Sequence, residues 1–149
     1  MSTPEPDDLP FSSKPHDDPS YPLHRTEAQW LEALGTLSYE VARRGATERA
    51  FTGRYWDHWG EGQYHCVGCG EALFDATAKF DAGCGWPSWW RELAPGRVER
   101  LADTSHGMQR VEVRCARCGT HLGHVFDDGP QPSGERYCIN SAAIDFRSR

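Results

Sequence analysis

The residues of this chain best equipped for chemistry are its six cysteines, and their spacing sorts them. Cys66-Val-Gly-Cys69-Gly70 and Cys115-Ala-Arg-Cys118-Gly119 are two C-x-x-C-G units. Two thiolates so spaced on a tight turn face one ion, and the glycine after each pair permits the turn and leaves backbone N–H groups free to approach the sulfurs. Four thiolates in two such pairs suit a closed tetrahedral zinc site. A closed site keeps no position for water, so its expected role is structural. The wide gap between the pairs makes it a clamp on distant segments. Iron, or two separate redox C-x-x-C motifs, are the alternatives.

Cys84 and Cys138 have no such partner. Cys84 lies between glycines in DAGCGWPSWW, where the backbone is expected to be exposed and mobile, and Cys138 lies in ERYCINSAA at the start of an expected strand. Each reads either as an inert buried thiol or as one half of a nucleophile and resolving pair. His121-Leu-Gly-His124 supplies two imidazoles, either as partners for such thiols, as metal ligands, or as ordinary core or surface histidines.

The elements that must position these groups come next. A chain of 149 residues and 16.8 kDa points to one domain. No apolar run approaches the ~20 residues of a membrane span. Six cysteines are far from the ~8–10% of a short disulfide scaffold. The formal charge is −6, against the basic excess of a nucleic-acid or anionic-membrane binder. Residues 1–22, MSTPEPDDLPFSSKPHDDPSYP, hold six of the ten prolines, and five acids against one lysine put −4 there. That composition predicts a flexible acidic arm. The remainder is then nearly neutral, which weakens the charge argument and leaves the thiols to decide. The arm lacks the basic start and apolar run of a signal peptide, so a reducing cytoplasm is the expected compartment and disulfide scaffolding is not expected.

Thr26 and Gln29 fit a capping box for a helix ending at Leu34, with Trp30, Leu31 and Leu34 on one face and Gly35 as its stop. Leu37 to Arg44 reads as a second helix, capped by Thr36 and ended at Gly45. From there short apolar runs are cut by Gly, Asp and Pro. In Met108–Cys115, Val111, Val113 and Cys115 alternate with Arg110, Glu112 and Arg114, as in a strand; His121–Phe126 and Arg136–Ile139 are two more.

Four segments then carry a resemblance: FTGRYWDH (51–58), KFDAGCGWPSW (79–89), VRCARCGTHLGHVFDDGP (113–130) and GERYCINSAA (134–143). Together they are similar to the methionine sulfoxide reductase B family, over roughly residues 26–146. The resemblance implies a mainly β fold with short N-terminal helices, a small zinc-clamped, β-barrel-like single domain holding one structural zinc on Cys66, Cys69, Cys115 and Cys118. It implies thiol-dependent reduction of the R epimer of methionine sulfoxide in proteins, with Cys138 as nucleophile and Cys84 as resolving thiol, recycled by thioredoxin. It further implies that Trp86 packs on the substrate's S-methyl group, that His121 and His124 polarise and protonate the sulfoxide oxygen, and that Asn140 orients it. No nucleic-acid or membrane partner is implied, and nothing demands more than a monomer. Two departures stand out: Ala50 replaces a frequent proline, and Trp89 and Trp90 follow GCGWPS where phenylalanine is usual. A larger aromatic there bears on pocket shape or peptide preference, in a direction the sequence leaves open. The competing class is a zinc-ribbon module that binds a protein without catalysis, which would need none of Cys84, Cys138, Trp86 or the two histidines; a nucleic-acid-binding ribbon comes third.

Overall fold

The helical preface forms for the reasons its sequence suggests. In the computed structural model, which describes residues 14–149, α1 spans Glu27–Leu34. Thr26 accepts from the Gln29 backbone while the Gln29 side chain accepts from Thr26 N–H, closing the capping box. α2 runs Thr36–Arg44 and ends at Gly45, whose φ of 74° is the left-handed stop that favours glycine. Its first turn differs from expectation: Gly35 is the N-cap, Thr36 is already helical, and no side chain caps it. The apolar face of α1 is also narrower than expected. Trp30 is buried and Leu34 packs against the core, but Leu31 and Leu37 are exposed. Trp30 makes the deeper contact, with the guanidinium groups of Arg25 and Arg43 over its indole at 4.9 and 4.4 Å from the ring centroid.

Nine strands follow. β1 (Gly62–Cys66), β2 (Ala72–Asp75) and β9 (Ile144–Ser148) make a three-stranded sheet in the order β2-β1-β9. β3 (Lys79–Phe80), β4 (Ser88–Trp89), β5 (Val98–Asp103), β6 (Arg110–Cys115), β7 (His121–Phe126) and β8 (Arg136–Ile139) make a six-stranded sheet in the order β3-β4-β8-β7-β6-β5. Every pairing is antiparallel. The domain is therefore mainly β with two short N-terminal helices. Among the described residues no helix is long and apolar enough to cross a membrane.

The two sheets meet on aromatic side chains. Phe74 of β2 stacks on Trp89 of β4 at 4.7 Å between ring centroids, and Tyr64 of β1 meets the same indole edge-on at 4.9 Å. Trp89 is fully buried and fills the core, and it is not among the residues that line the site cavity. Trp90 does not line the site cavity either. Removing an indole here leaves a large void: Trp89→Ala should lower unfolding stability by about 3–5 kcal/mol, read from the denaturant midpoint.

The acidic segment behaves unlike a free arm over its described part. Residues 14–22 lie against β5 and β6: Tyr21 is 2% exposed, its hydroxyl donates to Glu99 at 2.8 Å, and Lys14 pairs with Glu99 at 2.9 Å. Residues 1–13 lie outside the described part of the chain.

Candidate active site

The first C-x-x-C-G unit continues from the end of β1, the second from the end of β6, so each sheet contributes one pair. The four sulfurs lie within 4.8 Å of one another, with Cys66–Cys118 and Cys69–Cys115 separations of 3.6 Å. Four sulfurs at ~2.3 Å from one zinc in a tetrahedron stand about 3.8 Å apart, so the donor set and spacing fit that ion. Hydrogen bonds to the sulfurs come from Gly68 N–H to Cys66 at 3.3 Å and from the Thr120 hydroxyl to Cys118 at 3.1 Å. The glycines are required by close approach as well as by conformation. A Cβ on Gly68 would come 2.8 Å from Thr120 Oγ1, and Gly119, at φ 77°, would bring one 2.5 Å from the His16 carbonyl. Four clustered cysteines thus join the two sheets and could hold one metal ion.

The other two cysteines meet elsewhere. Cys138 sits in the middle of the large sheet, opposite His124 on β7 and Ser88 on β4. Cross-strand partners share a face, so the register alone brings this imidazole beside this thiol. Cys84 reaches the same place from the loop before β4, and its sulfur lies 4.0 Å from that of Cys138. The loop is clamped on one side only. Gly85 is buried, its carbonyl accepting from Phe51 N–H at 2.8 Å, and a Cβ on it would strike Phe51 and Ala50 at 2.8 Å. A Cβ on exposed Gly83 would meet nothing within 4 Å. The expected exposed backbone is therefore found before Cys84 and not after it.

A cavity of about 290 Å³ opens over the two sulfurs, walled also by Trp86, His124, Arg110 and Arg136, with Asn140 at its edge. Trp86 is held in place by donating from its indole nitrogen to the Glu48 carbonyl at 3.0 Å. Asn140 accepts from Glu48 N–H at 2.9 Å and donates to the Leu122 carbonyl at 3.0 Å. The loop carrying Glu48 therefore ties the indole to the strand that carries Cys138. The Glu48 side chain completes the tie by accepting from Ala142 N–H at 2.8 Å.

His121 and His124 are three positions apart and would face opposite sides of a regular strand. A bulge between the Arg114–His121 and Val113–Gly123 pairs restores them to one side, with ring centroids 5.6 Å apart. Only His124 lines the cavity; His121 packs behind it. Each imidazole is held by a carboxylate at 2.6 Å: His124 Nε2 donates to Asp103, and His121 Nδ1 donates to Glu112. Burial lowers the His124 pKa, outweighing the raising effect of Asp103. Although burial opposes it, the hydrogen bonds from Ser105 and His124 hold Asp103 at about 2. Burial likewise opposes Glu112 ionisation, but donors from His121, His16 and Arg114 keep it well below the usual carboxylate range.

The hydrogen bond from Cys138 lowers Cys84 to about 5 against its partial burial, with help from the Trp86 backbone, Ser88 and Arg136; the same bond and burial push Cys138 up.

Of the residues read from the sequence as site candidates, Cys84, Cys138, Trp86, His124 and Asn140 come together on this cavity. Cys66, Cys69, Cys115 and Cys118 form the separate cluster, and His121 stands one layer back. Asp103, Glu112, Arg110, Arg136 and Glu48 were not singled out. Glu48 had a signal, in the ATERAF stretch where only Ala50 drew notice. The carboxylates had none, since their partners are 9 and 21 residues away in sequence.

A sulfur cluster joining two sheets, plus a separate close thiol pair in a walled cavity, defines a thiol–disulfide redox class of protein. Residues 34–148 match the SelR domain. The chain is 60% identical over 133 residues to the peptide methionine sulfoxide reductase MsrB of Methylibium petroleiphilum, covering 89% of this chain and 96% of that protein. It is 51% identical to the same-named protein of Variovorax paradoxus (86% and 98% covered) and 49% identical to that of a Synechococcus strain (86% and 94% covered). The chain belongs to the SelR family, that of the peptide methionine sulfoxide reductases.

Proposed function

We propose that the protein reduces the R epimer of methionine sulfoxide in proteins to methionine, using Cys138 as nucleophile and Cys84 as resolving thiol. The observation that carries this reading is the pair of sulfurs 4.0 Å apart under a cavity walled by an indole and an imidazole.

The chemistry follows from those groups. A sulfoxide oxygen leaves only once protonated, so a donor must sit beside the sulfur. His124 is the nearer imidazole, and its Nε2–H is already given to Asp103. The proton for the sulfoxide then comes from Nδ1 of the imidazolium, which the lowered His124 pKa makes the minor form at neutral pH but a stronger acid. Asn140 orients the oxygen, and the Trp86 face takes the S-methyl group, a contact that favours one epimer. Cys138 attacks the sulfur as its own proton passes to Cys84. The protonated oxygen then moves from the substrate sulfur to the Cys138 sulfur, breaking one S–O bond and forming another. Methionine departs with the electron pair of the transient S–S bond, so Cys138 is left as sulfenic acid. Cys84 then attacks that sulfur, water departs, and a Cys84–Cys138 disulfide remains. A dithiol reductant, thioredoxin in our reading, returns both thiols by exchange. Cys84 is suited to the second step because its sulfur lies 4.0 Å from that of Cys138, and the proton it received leaves with the departing hydroxide as water.

Zinc on Cys66, Cys69, Cys115 and Cys118 plays no part in these steps in this reading; it ties the sheets. A reactive thiol pair, a zinc–thiolate site and a dithiol reductant suit the cytoplasm, with the protein acting as a monomer in this reading. The test is stereochemical. Zinc-loaded protein with dithiothreitol should consume a peptide R-sulfoxide and leave the S epimer, followed by chromatography. No turnover of either epimer would favour the zinc-ribbon binding module.

A further inference from the structure

His121 is backed by a residue that precedes the matched domain. The Glu112 carboxylate is 6% exposed, and one of its oxygens, Oε2, receives three N–H donors. They are His121 Nδ1 at 2.6 Å, Arg114 Nε at 2.9 Å and His16 Nε2 at 3.1 Å. The domain match starts at residue 34, so His16 comes from outside it. It is nonetheless firmly placed. Arg43 donates to its carbonyl at 2.7 Å, Tyr21 is buried five positions on, and Arg114 donates to the Tyr21 hydroxyl at 3.2 Å. The His16 ring meets the His121 ring edge-on at 6.0 Å.

We propose that His16 is a positioning residue for sulfoxide reduction: by sharing Glu112 with His121 it fixes that imidazole, and through the ring contact fixes His124 on the cavity wall. The inference rests on the reading of the two histidines as the groups that serve the sulfoxide oxygen.

Three observations support it. Burial lowers the His16 pKa and so favours the neutral imidazole, which donates one N–H to the carboxylate and adds no charge beside His121. With three donors on one oxygen, the pull of Glu112 on any single donor is divided, so loss of His16 lets Glu112 shift towards the other two. Finally, among the described residues His121 has no other polar anchor. Its Nε2 is buried and without a hydrogen-bond partner, so the ring's orientation depends on Glu112 and on packing. The three groups lie within 4.8 Å, a spacing compatible with a metal ion, but Arg114 occupies the same oxygen and its guanidinium would repel a cation there.

The experiment uses the full zinc-loaded chain with dithiothreitol and a peptide R-sulfoxide. His16→Leu should lower kcat about tenfold with KM unchanged, since one charge-assisted hydrogen bond to a buried carboxylate is lost. His16→Gln, which keeps an N–H at similar reach, should stay within about twofold of the original. If the leucine variant does not fold, His16→Asn, too short for the contact, takes its place. A second measurement is independent of turnover. The proton resonance of His121 Nδ1–H, displaced downfield by its short bond to Glu112, should move in His16→Leu and stay in His16→Gln. An unchanged kcat and an unmoved resonance in His16→Leu overturn the proposal, as does a glutamine variant that loses as much as leucine. Absence of turnover in the unaltered protein defeats the functional reading, and the resonance then decides the positioning role by itself.

Discussion

Cys138→Ser should bring sulfoxide reduction below detection, whereas Cys84→Ser should release one methionine per protein and then stop with thioredoxin. The two outcomes differ because the two sulfurs differ in task. Serine at 138 offers an alcohol, barely ionised at neutral pH, and removes the atom that must accept the sulfoxide oxygen, so a loss of at least ~10⁴-fold is expected. Serine at 84 leaves attack possible. It removes only the partner that expels water from the sulfenic acid, so the oxygen remains on Cys138. A small thiol that enters the cavity would still recycle this variant, while a protein dithiol that needs a disulfide would not. Cys84→Ser also removes the hydrogen-bond partner that raises Cys138, so the reactivity of Cys138 towards an alkylating agent should extend to lower pH. Rapid-quench measurement of methionine per site checks the first claim, and steady-state assay with thioredoxin checks the second. If Cys84→Ser recycles normally with thioredoxin, the resolving role belongs elsewhere.

Metal removal should have the other large effect, and on the fold. Four thiols crowded within 4.8 Å join β1 of one sheet to β6 of the other. Structural zinc contributes roughly 10–16 kcal/mol in small zinc peptides, which matches or exceeds the ~5–15 kcal/mol net stability of an ordinary domain. Chelation under reducing conditions should therefore unfold the protein at room temperature, and one zinc per chain should be found before treatment. Circular dichroism with metal analysis reads both. Metal-free protein melting at the original temperature would show that the aromatic core between the sheets is sufficient by itself.

Much of this site was legible along the chain because its pieces are local. A C-x-x-C-G unit contains its own turn, so both thiol pairs of the cluster could be read without knowing the fold. The capping box of α1 and the starts of β7 and β8 are likewise written in neighbouring residues. Legibility ended where a residue's surroundings come from far along the chain. Trp89 follows the GCGWPS motif, a place that leaves its effect on the pocket open, and β4 turns its side chain inward onto Phe74 and Tyr64. The alternation in β6 marks a strand correctly but does not show that Glu112 and Arg114, on its polar positions, are buried beneath residues 14–21. The three-residue spacing of His121 and His124 became a shared face only through a bulge that depends on how β6 pairs with β7.

The sequence by itself determined the inventory: four cysteines in two C-x-x-C-G pairs, two more outside them, two imidazoles, and the family to which the arrangement belongs. It could do so because thiol spacing and motif order are properties of short covalent segments. Only the tertiary structure decided that Cys84 and Cys138 lie 4.0 Å apart, that His124 and not His121 walls the cavity, and that Asp103, Glu112 and His16 stand behind the histidines. Those relations depend on strand register and on packing between sheets, which couple residues up to 105 positions apart, as between His16 and His121, and no local pattern encodes such pairs.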